Sequence, residues 1–225
     1  MGLRLISFVP KAGAPHRVGV VLDDGRVVDI GAEAQLAKIK LAFDPASMLS
    51  LVASGDKGLV QVKAIADKLS AGKKALANVN QVTLLSPIPK PQSNIYAVGW
   101  NYLEHFEEGK DARADKNVAA LPANPVFFTK AVNTMNGPFD PIPYDATNST
   151  MTDWEAELCL VIGRKGRNIS EDKAMDYVFG YAAYNDTTLR DIQQKRHGGQ
   201  WFKGKSLDGH GPMGPWILTP GGFRL

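Results

Sequence analysis

Residues 152–163, TDWEAELCLVIG, constrain the fold more than any other stretch of the chain. The run from Leu158 to Ile162 has the apolar density of a strand buried on both faces, yet Glu155 and Glu157 lead into it at a spacing of two. Strand side chains alternate faces, so both carboxylates point the same way, about 6 to 7 Å apart at the backbone. Two anions so close at the edge of a core require compensation. A solvent-facing strand end beside Asp153 would supply it through water, and a divalent cation would supply it directly.

Glycine and proline, 22 and 14 of the 225 residues, fall between short apolar runs, which predicts many turns and a β-rich α+β chain. LRLISFV, HRVGVVL and RVVDI read as three N-terminal strands forming a small sheet, with a hairpin turn at DDG, 23–25. Helical patterns follow between 33 and 78, with Asp44 as an N-cap ahead of Pro45. The Pro-rich stretch LLSPIPKPQSN at 84–94 reads as a break. The expected organisation is a small α/β N-terminal domain over 1–80, a linker over 81–93 and a catalytic domain over 94–225.

The balance of charge narrows the partners. The 26 basic residues are dispersed among 23 acidic ones for a net +3, which argues against nucleic acid. The start, MGLRLISFVPKAG, is too short an apolar stretch for a signal peptide or a membrane span, and one cysteine forms no internal disulfide. A cytoplasmic protein is expected.

The chemistry concentrates after residue 94. NIYAVGW reads as a strand and NYLEHFEEGK as a short helix closed by Gly109, with His105 and Glu108 sharing a face. Such a pair can hold an imidazole in one tautomer and let it accept a proton; a solvated helix with an incidental histidine is the competing reading. In GYAAYNDTTLRDIQ an apolar run ends at Asp186. If that run is a strand next to Glu155 and Glu157, the three carboxylates make an all-oxygen site suited to Mg²⁺, with Mn²⁺ or Ca²⁺ possible and zinc disfavoured. Arg190 and Gln193, three apart, would share one face of a helical turn, the arginine as a fork for a substrate carboxylate or as an exposed ion-pair residue.

GQWFKGKS, 199–206, satisfies the phosphate-loop pattern, but such a loop must leave a strand and open a helix, and glycines and prolines stand where the helix should be. It is read as a chance match, which leaves Lys205 free for other work. His197 and His210 are assigned no role, and Cys159 is read as a small buried hydrophobe.

AVGWNYLEHFEE, PVFFTKAVNTMNGP, DWEAELCLVIGRKGRNIS, GYAAYNDTTLRDIQ and KGKSLDGHGPMGPWILT, in that order, resemble the fumarylacetoacetate hydrolase superfamily over about residues 80–219. The resemblance implies a mixed-β roll, a homodimer and a role in aromatic compound catabolism. Matched to the family's motifs, Glu155, Glu157 and Asp186 become metal ligands and His105 with Glu108 a catalytic dyad. Arg190 and Gln193 match substrate-binding positions, and Lys205 matches the lysine of a G-K-[SG]-[FL]-D segment in which Leu207 replaces the commoner Phe. Members usually continue past the PWILT strand and carry a T-G-T-P segment; none occurs here, so the catalytic domain is expected to be C-terminally incomplete, either because the sequence is a fragment or because several strands of the roll are lacking.

The activity this implies is metal-dependent hydrolysis of a carbon–carbon bond in a small 1,3-diketo acid, an acylpyruvate or fumarylpyruvate. The metal would stabilise an enolate, His105 oriented by Glu108 would activate water, and Lys205 with Arg190 would meet the oxyanion and the carboxylate. Residues 109–124 read as a flap over the site. The alternatives on the same site are decarboxylation of a 2-oxo acid such as oxaloacetate and isomerisation of a hydroxymuconate-type diene. A non-catalytic metal-binding module is the reading from another class.

Overall fold

The computed structural model describes residues 2–72, 74, 76–101, 103, 107 and 122–221. Short β-branched and apolar runs, each cut by glycine or proline, produce an α+β fold dominated by strands. The elements are β1 (Arg4–Val9), β2 (Arg17–Val21), β3 (Val27–Asp29), α1 (Ile30–Leu36), α2 (Met48–Ser54), α3 (Asp56–Ala71), β4 (Thr83–Leu84), β5 (Ile95–Gly99), β6 (Val126–Lys130), β7 (Met135–Asn136), β8 (Thr152–Asp153), β9 (Ala156–Ile162), β10 (Val178–Asn185), β11 (Thr188–Leu189) and β12 (Gly211–Leu218).

The main sheet has the order β3-β2-β1-β12-β10-β9, with β4 added to β1 and β7 paired in parallel with β12. The hairpin at DDG forms as expected: Val21 pairs with Val27 and Gly25 takes φ 84°, a left-handed turn conformation that favours glycine. The three N-terminal strands do not make a sheet of their own. Arg4 and Leu5 pair with Leu218 and Ile217, so one sheet runs from one end of the described chain to the other. Leu5, Val18, Val28, Leu51, Val62, Phe179 and Ile217 share one core with the helices. Helix α2 is capped by Ser47, whose side chain accepts from the Ser50 N–H, rather than by Asp44, whose carboxylate instead accepts from Ala46 N–H. Thr83 and Leu84 pair with β1 at the start of the Pro-rich stretch, and the residues from 85 to 94 carry no regular element.

β9 overturns one expectation. Among the described residues it is an edge strand, half-buried or buried at Glu157, Cys159 and Val161 but open on its other face, where Leu158, Leu160 and Ile162 are 49%, 45% and 59% exposed. An edge strand needs only one packed face, so the dense apolar run does not report burial on both. No helix among the described residues is long and apolar enough to cross a membrane.

Ile217 is fully buried where the N-terminal strands meet β12. Ile217→Ala is expected to cost about 3 kcal/mol in a single urea transition. An earlier, separate transition of the N-terminal residues would show that the sheet does not unfold as one unit.

Candidate active site

The β9–β10 ladder sets the site. Glu157 lies opposite Tyr184 and Ala156 opposite Asn185; one step further, the Asp186 N–H donates to the Glu155 carbonyl at 2.9 Å and the Asn185 side chain accepts from the Glu155 N–H. Asp186 therefore does lie beside Glu155 at the end of a neighbouring strand. Pairing resumes beyond the break as β8 with β11, Thr188 opposite Asp153, which brings Arg190 to the same end.

Lysines complete the arrangement. Lys205, on the single helical turn Phe202–Lys205, places its Nζ 2.6 Å from Glu155 Oε2 and 2.7 Å from Asp186 Oδ2, with its side chain 2% exposed. Lys130, at the end of β6 and fully buried, reaches Asp186 Oδ1 at 2.6 Å and donates to the Thr187 carbonyl at 3.0 Å. Arg190 meets Glu155 Oε1 at 2.5 Å, holds Asp153 Oδ2 at 2.8 Å and donates to Gln193 Oε1 at 3.2 Å. Three cations and three carboxylates thus interlock. Removing an ion from water costs several kcal/mol, and only close geometry with additional hydrogen bonds offsets it.

The protonation equilibria follow. Burial pushes the Asp186 carboxyl up, but Lys130 and Lys205 together outweigh it and hold the group below the usual carboxylate range. Burial lowers Lys130 to about 8 against the pull of Asp186, so both remain ionised at neutral pH. Burial also works to lower Arg190, and Glu155 and Asp153 together more than reverse it. Cys159 is pushed up to about 11 by burial alone, in keeping with a packing residue.

Glu155, Glu157, Asp186, Arg190, Gln193 and Lys205 all line one cavity of about 1200 Å³. Among the described residues no three His, Cys, Asp or Glu side chains are gathered as a ready metal site; the point shared by Glu155 and Asp186 holds the Lys205 ammonium. Glu155, Glu157 and Asp186 are carboxylate oxygen donors lining one cavity, the ligand type a hard divalent cation takes, and a cation held between Glu155 and Asp186 would displace the Lys205 ammonium from that point. His105 and Glu108 lie outside the described residues, as does most of the expected flap.

The phosphate-loop match has the wrong surroundings. A π-helical turn, Ile192–Arg196, precedes it, and only one helical turn lies within it. His210 is buried with its Nε2 2.9 Å from the Pro143 carbonyl oxygen. Sequence reasoning passed over Lys130 and Asp153. For Lys130 the available signal was a lone lysine closing an apolar strand in a chain with clustered carboxylates elsewhere.

Comparison with known proteins points to one group. The family described as fumarylacetoacetate (FAA) hydrolase C-terminal matches residues 94–224. Oxaloacetate tautomerase YisK of Bacillus subtilis is 37% identical over 206 residues, 89% of this chain and 65% of the relative. The mitochondrial oxaloacetate tautomerase fahd2 of Xenopus laevis is 34% identical over 97% of this chain and 62% of its own. The chain thus spans less than two thirds of the length of these curated relatives. Among solved structures, a fumarylacetoacetate hydrolase from Exiguobacterium antarcticum superposes with a TM-score of 0.73 at 32% identity, covering 99% of this chain and 68% of that one. A maleylpyruvate hydrolase from Sphingobium sp. SYK-6, in complex with manganese(II) and pyruvate, gives 0.71 at 27% identity, covering 99% and 69%.

Lys130→Met leaves buried Asp186 with one cation instead of two. It is expected to destabilise the protein by about 3 kcal/mol in urea denaturation at pH 7, whereas a solvated lysine at that position would change stability by less than about 0.5 kcal/mol.

Proposed function

The chain belongs to the fumarylacetoacetate hydrolase family, and we propose that it acts on small 2-oxo acids through their enol or enolate forms. The observation that carries this reading is the convergence of Glu155 and Asp186 on one cationic point, in a cavity that Arg190 and Gln193 also line. Glu155, Glu157 and Asp186 would hold a divalent cation, Mg²⁺ or Mn²⁺, which when bound supplies Lewis-acid stabilisation of negative charge on the substrate oxygens.

The chain's own residues do the rest. Lys205 Nζ places a positive charge beside the carboxylates, where an enolate oxygen would develop, and Lys130 fixes the far oxygen of Asp186 so that Oδ2 stays turned toward Lys205. Arg190 holds Glu155 from the other side and, with Gln193, presents donors to a substrate carboxylate. Proton transfer falls in this reading to His105, with Glu108 as the dyad partner that the family motif implies.

Keto–enol tautomerisation of oxaloacetate is the first outcome proposed, supported by the identity to the oxaloacetate tautomerases. Carbon–carbon hydrolysis of an acylpyruvate or fumarylpyruvate, the outcome expected from the sequence, is the second, supported by the likeness to maleylpyruvate hydrolase. The test follows enol absorbance of oxaloacetate, acetylpyruvate and fumarylpyruvate with Mg²⁺ and then EDTA, with pyruvate assayed in parallel. Enol loss from oxaloacetate that EDTA abolishes, without pyruvate release, is the expected result, and His105→Ala is expected to lower it at least about tenfold. Pyruvate released from a diketo acid would establish hydrolysis, and EDTA-insensitive rates would contradict the metal.

A further inference from the structure

The cavity has a second chemical character away from its ions. Trp201 stands edge-on to Trp100, with ring centroids 5.3 Å apart at 85°, and to Phe128, 5.3 Å apart at 72°. All three are partly exposed and line the cavity that Glu155, Asp186 and Lys205 line. The aromatic wall begins at the charged end itself, because Lys205 Nζ lies 5.1 Å from the centre of the Phe128 ring. It is also fixed in place. A Cβ built on Gly99, the last residue of β5, would fall 2.5 Å from Trp201 Cζ3 and 2.8 Å from Cη2, so the indole packs directly on backbone that only glycine leaves open.

Such a wall offers little to a carboxylate, and both carboxylates of a short diacid such as oxaloacetate belong at the charged end beside Arg190 and Lys205. The wall is well matched to a flat ring, which gains apolar burial and edge-to-face contacts. The cavity continues from the ionic end past this wall and along the exposed face of β9, which leaves room for a substrate longer than a four-carbon acid.

We propose that the site takes 2-oxo acids carrying an aromatic tail, arylpyruvates, and interconverts their keto and enol forms, with Trp201 as the specificity-determining residue. The proposal rests on the reading of Glu155, Asp186 and Lys205 as the 2-oxo acid end. The step is balanced within the substrate and water: one C3–H bond breaks, the 2-oxo oxygen gains the proton, and the double bond moves from C2–O to C2–C3, or the reverse.

The experiment measures ketonisation of enol-phenylpyruvate and of enol-oxaloacetate by the protein with Mg²⁺, together with the dissociation constant of phenylpyruvate by calorimetry. Wild type is expected to accelerate both. Trp201→Leu is expected to lower the ratio of kcat/KM for phenylpyruvate over oxaloacetate at least about tenfold and to weaken phenylpyruvate binding by a similar factor, about what a lost ring contact is worth. Gly99→Ala, which displaces the indole without removing it, is expected to shift the ratio in the same direction. Turnover of oxaloacetate without phenylpyruvate turnover or binding would overturn the proposal alone, as would an unchanged ratio in both variants. Failure with both substrates would overturn the 2-oxo acid reading, and this inference with it.

Discussion

The ammonium of Lys205, buried between Glu155 and Asp186, is the contact on which the rest of the site depends. Asp186, buried away from water, has two cations in reach, Lys205 and Lys130, which offset the cost of keeping it ionised there. Arg190 closes the network by joining Glu155 to Asp153. Each charge is held from at least one side by a group on a different element, which turns flexible lysine and glutamate side chains into a fixed array. A charged array of this kind is suited to receive charge as it develops on a substrate, because its dipoles are oriented before the substrate arrives.

The backbone explains why the array falls where it does. β9 and β10 pair in register up to Ala156 and Asn185, the ladder breaks at Glu155 and Asp186, and β8 and β11 take it up again. A break in a ladder frees side chains from strict alternation, so two acidic residues from neighbouring strands can turn toward one point. The aromatic cluster of Trp100, Phe128 and Trp201 closes the cavity beside the ions and gives it an apolar flank.

Much of this was legible in the sequence. The spacing of Glu155 and Glu157, the end of an apolar run at Asp186 and the three-residue step from Arg190 to Gln193 are local patterns, and each maps to residues that line the cavity. What stayed hidden was non-local. The edge position of β9 depends on which strands join the sheet, the join of Leu5 to Ile217 spans nearly the whole chain, and Lys130 gains its meaning only from Asp186, 56 residues on. The cap of α2 failed for a local reason: Asp44 and Ser47 are both good capping residues, and the hydrogen bond that decides between them is made by the structure.

If Glu155 and Asp186 form a point able to hold a divalent metal, the protein binds one in the absence of substrate. Titration of the protein with Mn²⁺, followed by electron paramagnetic resonance of the free ion, tests this without recourse to turnover. The expected result is Mn²⁺ binding that EDTA reverses and that Glu155→Gln and Asp186→Asn each weaken at least about tenfold while circular dichroism shows the fold retained. Binding of equal strength in both variants, or none in the wild type, would contradict it.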